Sequence, residues 1–224
     1  MNVQRTAIRL LIAVFLWTSP AVAAVSSQVE ELLDRGSFDA EARSRIEAVF
    51  EQAEAEKVPE SFLVPRLAEG IAKDVSTDRL VEALEGRLAA LVEAGETLLE
   101  GEIEPTAEDN AGLWNRAGLL LWDGAPAGHL RRLVRATSGR PEALERALPL
   151  YVSMEEWGLS QSEAADIAEG VLRSSIPPED YPGILEVLAE ARSERIRIPT
   201  IVTRLIEELP SADSMTGLRE AVLF

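Results

Sequence analysis

The side chains of this sequence that can do chemistry are mostly carboxylates, with few partners suited to catalysis. Cys is absent and His129 is the only histidine. Thiolate nucleophiles, zinc–thiolate sites and disulfides are thereby excluded. A lone imidazole has neither a second ligand of its kind nor a thiol to activate. No Gly-rich phosphate loop, His-Glu-x-x-His or Gly-x-Ser-x-Gly pattern occurs. Glu100, Glu102 and Glu104 cluster within the run Glu100-Gly-Glu-Ile-Glu-Pro-Thr, but calcium needs six or more oxygens on a defined turn and the EF-hand spacing is missing. This run reads as a solvated acidic linker, and no metal or cofactor is expected. Two groups are better suited to binding. Trp114 and Trp122 stand about two helical turns apart, as a platform for a sugar or peptide or as core. Arg131, Arg132 and Arg135 form the only basic patch, able to meet an anionic ligand or to pair with neighbouring acids.

These residues need helices to position them. Aromatics are only 5% of the chain, so the core is built from Leu, Ala, Val and Ile, which favours packed helices over a β-sandwich. An organising stretch runs from Val58 to Leu84 and returns in degraded form from Leu159 to Leu185. Each unit opens with an aliphatic residue followed by Pro or Ser: Val58-Pro59, Val75-Ser76, Leu159-Ser160, Ile176-Pro177, and once more Ile198-Pro199. Pro suits a first helical turn and Ser an N-cap, and Ser160 with Glu163 matches a capping box. Arg66, Glu69 and Lys73 in the first copy correspond to Asp166, Glu169 and Arg173 in the second, each set on one helical face. Gly70 and Gly170 lie inside these helices, where close approach of a crossing helix would account for them.

Val58-Pro59, Leu63, Arg66, Glu69-Gly70, Lys73 and Val75 resemble a segment of uncharacterised exported helical proteins of bacteria. The resemblance implies an all-helical exported protein and carries over no activity, cofactor or site residue. Glu60-Ser61-Phe62 also resembles the Glu-Ser start of the lytic transglycosylase motif, in which the Glu is the general acid. The glycine- and glutamine-bearing motif expected downstream is absent. Glu60 also stands where an acid ordinarily stabilises a helix N-terminus.

The remaining pattern predicts about ten helices. Residues 1–23 read as a cleaved signal peptide, with Arg5 and Arg9 before an apolar run and Ala21-Val22-Ala23 as the cleavage site. Helices are expected over Ser26–Arg35, from Asp39 to about Lys57, and from about Thr77 to Gly101. Thr106 is expected to cap a helix whose segment 113–122 is buried on nearly all sides. A short helix then carries the arginines, with Leu130, Leu133 and Val134 inward. Pro141 starts the next, and Thr200–Leu209 and a helix led by Asp213 complete the chain, with an apolar C-terminus packed down. The linker at 100–106 divides the chain into halves at 24–102 and 106–224, or bends one continuous domain.

The fold expected is all-α, an irregular multi-helix bundle or a short array of antiparallel helix pairs. The net charge is −17, with acidic arms flanking a mildly basic centre over 111–146. That balance opposes nucleic-acid and anionic-membrane binding. The functional expectation is a non-catalytic periplasmic or secreted protein that binds another protein or an envelope component, with no transmembrane segment after cleavage. The alternatives are a small-ligand carrier with a cavity near Trp114 and Trp122, and a glycan-cleaving enzyme using Glu60.

Overall fold

The computed structural model describes residues 26–224, so the segment 1–23, expected from the sequence to be a signal peptide, lies outside the described residues. The described chain is all-helical, with eleven α-helices and no strand. They are α1 (Ser27–Arg35), α2 (Ala40–Ala55), α3 (Val64–Ala72), α4 (Thr77–Glu100), α5 (Ala111–Trp122), α6 (Ala127–Thr137), α7 (Pro141–Glu156), α8 (Gln161–Arg173), α9 (Gly183–Ser193), α10 (Ile198–Glu208) and α11 (Met215–Leu223). None of them is long and apolar enough to cross a membrane.

Six of the corners share one backbone device. At each, a residue in the left-handed region follows the helix: Lys57, Asp74, Glu102, Gly124, Gly158 and Arg195. The next residue is aliphatic, and its N–H reaches back five positions. Val58 donates to the Ala53 carbonyl at 2.8 Å, Val75 to Gly70 at 3.0 Å, Ile103 to Leu98 at 3.0 Å, Ala125 to Leu120 at 3.1 Å, Leu159 to Met154 at 3.1 Å, and Ile196 to Ala191 at 2.9 Å. This is the Schellman stop, which satisfies otherwise orphaned carbonyls at a helix end.

The aliphatic residues read as helix openers therefore have another job at three places. Val58, Val75 and Leu159 close the preceding helix, and the Pro or Ser after them begins the next element. At the last corner Ile196 takes this role, and Ile198 is already the first residue of α10. Ile176 differs again: no left-handed residue precedes it, and its N–H donates to the Ser174 hydroxyl at 3.2 Å.

The two echoed units are alike in polarity but not in conformation. Pro59 leads through a 3₁₀ turn, Glu60–Phe62, into α3, whereas Ser160 leads straight into α8 with its capping box formed. At the second start the order reverses: Ser76 leads directly into α4, and Pro177 leads through a 3₁₀ turn into α9. Thr106 does not cap a helix; its hydroxyl donates to Glu104 Oε1 at 2.6 Å, and a 3₁₀ turn over Glu108–Asn110 precedes α5. At the C-terminus Val222 and Leu223 are buried, but Phe224 is 95% exposed.

Two helices act as hubs. The long α4 packs against α2, α3, α5 and α6, and α8 against α6, α7 and α10. The short α6 touches both hubs. One apolar cluster runs from Val29 to Leu223 through all of these layers. Against α4, α5 sets Trp114 and Trp122 over two glycines: a Cβ at Gly95 would lie 3.1 Å from Trp114 Nε1, and one at Gly86 2.8 Å from Trp122 Cζ3. The rings thus occupy space that any larger residue on α4 would fill.

Candidate functional site

The two tryptophans of α5 have different surroundings. Trp114 is buried, its Nε1 donates to the Leu91 carbonyl at 2.7 Å, and Phe62 meets its ring edge-on at 5.7 Å between centroids. Its polar atom is satisfied and it has no free face, so it packs as core. Trp122, at the end of the same helix, is half-buried. The expectation that 113–122 is buried on nearly all sides is corrected here: Leu119 is 43% exposed, and Leu121 and Trp122 are only partly covered.

Two adjoining clefts meet at Trp122. The larger, of about 590 Å³, lies between α3, α4 and the end of α5 and includes Lys73, Arg79, Glu82 and Gly86 in its walls. The smaller, of about 250 Å³, is lined by Ser61, Phe62, Arg87, Asn115 and Leu119 among others. Arg66, Glu69 and Trp122 line both. The Arg66 guanidinium stands 5.6 Å from the Trp122 ring centroid, a cation–π distance. Glu69 holds that geometry: its carboxylate accepts from Arg66 Nη1 at 2.8 Å and from Lys73 Nζ at 2.5 Å. Those bonds, Lys73 first, keep the Glu69 carboxyl below the ordinary carboxylate range. The two clefts bring four cations, Arg66, Lys73, Arg79 and Arg87, against two carboxylates, Glu69 and Glu82. In a chain of net charge −17 this is a local reversal of sign. A separate groove of about 490 Å³ between α2 and α4 contrasts with it, holding Glu56, Glu85, Glu93 and Glu96 and no cation.

Arg87 is the most buried of the charged residues that line the smaller cleft. It is 4% exposed, and its Nη2 donates to the Asn115 Oδ1 at 2.5 Å and to the Asn115 carbonyl at 3.2 Å. Burial brings its pKa down to about 10, opposed by the charge of Asp123. The residue was not picked out by motif, yet a signal existed. Arg87 follows Leu84 by three positions and precedes Leu91 by four, which places it on the inward stripe of α4. An arginine at such a position must have a reason to be there.

The other candidate residues lie elsewhere. Arg131, Arg132 and Arg135 sit on α6 and meet acids on both hubs. Arg131 lies 3.6 Å from Glu93 and 3.7 Å from Glu100 on α4, and Arg135 lies 3.9 Å from Glu100. Arg132 donates to Asp166 at 2.6 Å and from Nε to Glu169 at 2.7 Å on α8. These bonds, that to Asp166 first, raise its pKa above the ordinary arginine value. The basic centre of the sequence is therefore an ion-pair seam between two acidic helices. His129 Nδ1 lies 3.2 Å from the hydroxyl of the buried Tyr151. Glu60 opens the 3₁₀ turn before α3 and lines none of the three clefts. No cluster of three or more metal-ligating side chains occurs among the described residues.

No family model, curated protein or solved structure matches the chain.

Proposed function

We propose that this is a non-catalytic, exported binding protein that works through the clefts at Trp122. The observation that carries the reading is the setting of Trp122 itself. A half-buried indole, seated over Gly86 and faced by a carboxylate-held Arg66, joins two clefts of opposite charge to the rest of the chain. Concave sites that combine an apolar wall with a few fixed polar groups are the usual form of a ligand pocket. Export rests on the segment 1–23 and is part of the proposal. The ligand is either carried free, or presented at the end of a protein or envelope partner. Glu60, outside both clefts, takes no part, and neither does the seam on α6.

The test is native mass spectrometry of freshly purified protein, with Trp122→Ala as the comparison and circular dichroism to check that the variant folds. A co-purifying species, or a fragment hit, that is lost in folded Trp122→Ala supports the reading. A bare chain mass with no fragment bound at Trp122 removes it.

A further inference from the structure

Two charged side chains are buried in the described structure, and their treatment differs. Glu169 is 8% exposed and is met by Arg132 and Arg173. Arg87 is 4% exposed, and among the described residues no carboxylate forms an ion pair with it. Its Nη1 is buried and has no hydrogen-bond partner among the described residues. With a pKa near 10 it stays protonated at neutral pH. A buried cation is costly unless an anion and hydrogen bonds compensate it. Asn115 supplies both of its acceptors to Nη2 and leaves Nη1 without one. Arg87 is among the residues that line the smaller cleft, whose other walls include Phe62, Trp122 and the exposed Leu119.

We infer that the smaller cleft takes a monocarboxylate, its carboxylate paired with Arg87 and its apolar body laid against Phe62, Leu119 and Trp122. This rests on the binding reading given above and names the ligand class. The single charge follows from balance. Arg66, the other cation of this cleft, is already committed to Glu69 and to the face of Trp122. The Arg87 guanidinium, which feels the charge of Asp123 but forms no ion pair, matches one negative charge at the nitrogen that Asn115 leaves without an acceptor. A phosphate dianion would bring a second negative charge beside Glu69 with no cation left for it. A space of about 250 Å³ suits a body the size of one aromatic ring or a short branched chain.

The experiment is calorimetric titration of the intact protein with phenylacetate, phenylacetamide and phenyl phosphate, repeated on Arg87→Met. Phenylacetate is expected to bind at least tenfold more tightly than the amide or the phosphate, and to lose that preference in Arg87→Met. Equal binding of acid and amide, or a preference for the phosphate, overturns the carboxylate and leaves the cleft reading standing. Binding of none of the three at millimolar concentration overturns both. Should Arg87→Met not fold, the acid-to-amide ratio on the unaltered protein decides alone. Two tripeptides ending in Phe, one with a free and one with an amidated terminus, separate the sources. A free-ended peptide that binds more tightly than phenylacetate assigns the carboxylate to a peptide C-terminus. One that binds no more tightly assigns it to a small free acid.

Discussion

Arg132 on α6 holds Glu169 on α8 by a hydrogen bond of 2.7 Å from its Nε, and Arg173 approaches the same carboxylate from one helical turn further along. Glu169 is one of two buried charges among the described residues, so its stability depends on these two guanidinium groups. Arg132→Ala is expected to lower stability by about 2 kcal/mol. That is less than the 3–5 of a fully buried pair, because Arg132 is itself partly solvated and Arg173 remains. Urea denaturation at neutral pH measures it. A matched Arg135→Ala, whose side chain is 73% exposed, should change stability by less than about 0.5 kcal/mol.

The two echoed glycines should not respond equally to a methyl group. A Cβ at Gly170 would lie 2.9 Å from Leu209 Cβ, an atom fixed to the backbone. At Gly70 it would lie 2.4 Å from Leu80 Cδ1, the far end of a side chain that can rotate. Gly170→Ala is expected to cost about 1–3 kcal/mol by overpacking, and Gly70→Ala clearly less. Thermal melts of the two variants side by side would show the order; the reverse order contradicts this reading of the packing.

Lys57 occupies the left-handed region with φ 58°, at a helix stop that glycine fills without steric cost. Lys57→Gly is expected to raise stability by about 0.5–1 kcal/mol, since relief of Cβ strain exceeds the added freedom of the unfolded chain. The change in midpoint of chemical denaturation is the readout. At Gly124 or Gly158, replacement by Ala should do the opposite.

The capping box at α8 gives a pH signature. Ser160 N–H and hydroxyl both donate to Glu163, at 2.8 and 2.7 Å, and hold its carboxyl below the ordinary range. A carboxyl with a depressed folded pKa stabilises the fold above its unfolded pKa, and that contribution disappears as pH falls through the folded value. Ser160→Ala is expected to cost about 1 kcal/mol at pH 7. The gap between variant and parent should narrow as pH drops below the unfolded glutamate value of about 4.3. A gap independent of pH would mean that the hydroxyl caps the backbone without help from the carboxylate.

Much of the fold was legible because its signals are local. Asp39 caps α2 by accepting from Ala42 at 2.8 Å, the long α4 runs from Thr77, and Ser160 and Glu163 form their box, all as the residue types require. Leu130, Leu133 and Val134 turn inward on α6 because they share a helical face. What escaped the sequence depends on structure beyond the pattern. A Schellman stop places an aliphatic residue just before the next helix start, so a reader of punctuation assigns Val58 or Leu159 to the wrong helix. Trp114 and Trp122 look equivalent by spacing, but only Trp114 falls under Phe62 and reaches the Leu91 carbonyl. Arg87 reads as one more charge on a charged helix until its neighbours Leu84 and Leu91 fix its direction. The basic patch on α6 shows no preference for ligand or salt bridge until α4 and α8 close on it.

The separation of the two indoles of α5 has an optical consequence. Trp114 is sealed and hydrogen-bonded, whereas Trp122 keeps a wet face at the cleft. Their emission should divide into a blue, unquenchable component and a red component open to acrylamide, to which the 37%-exposed Trp157 also contributes. Whatever settles beside Trp122 will dim or shift part of the red light alone, so the protein carries a built-in dye for its own occupancy.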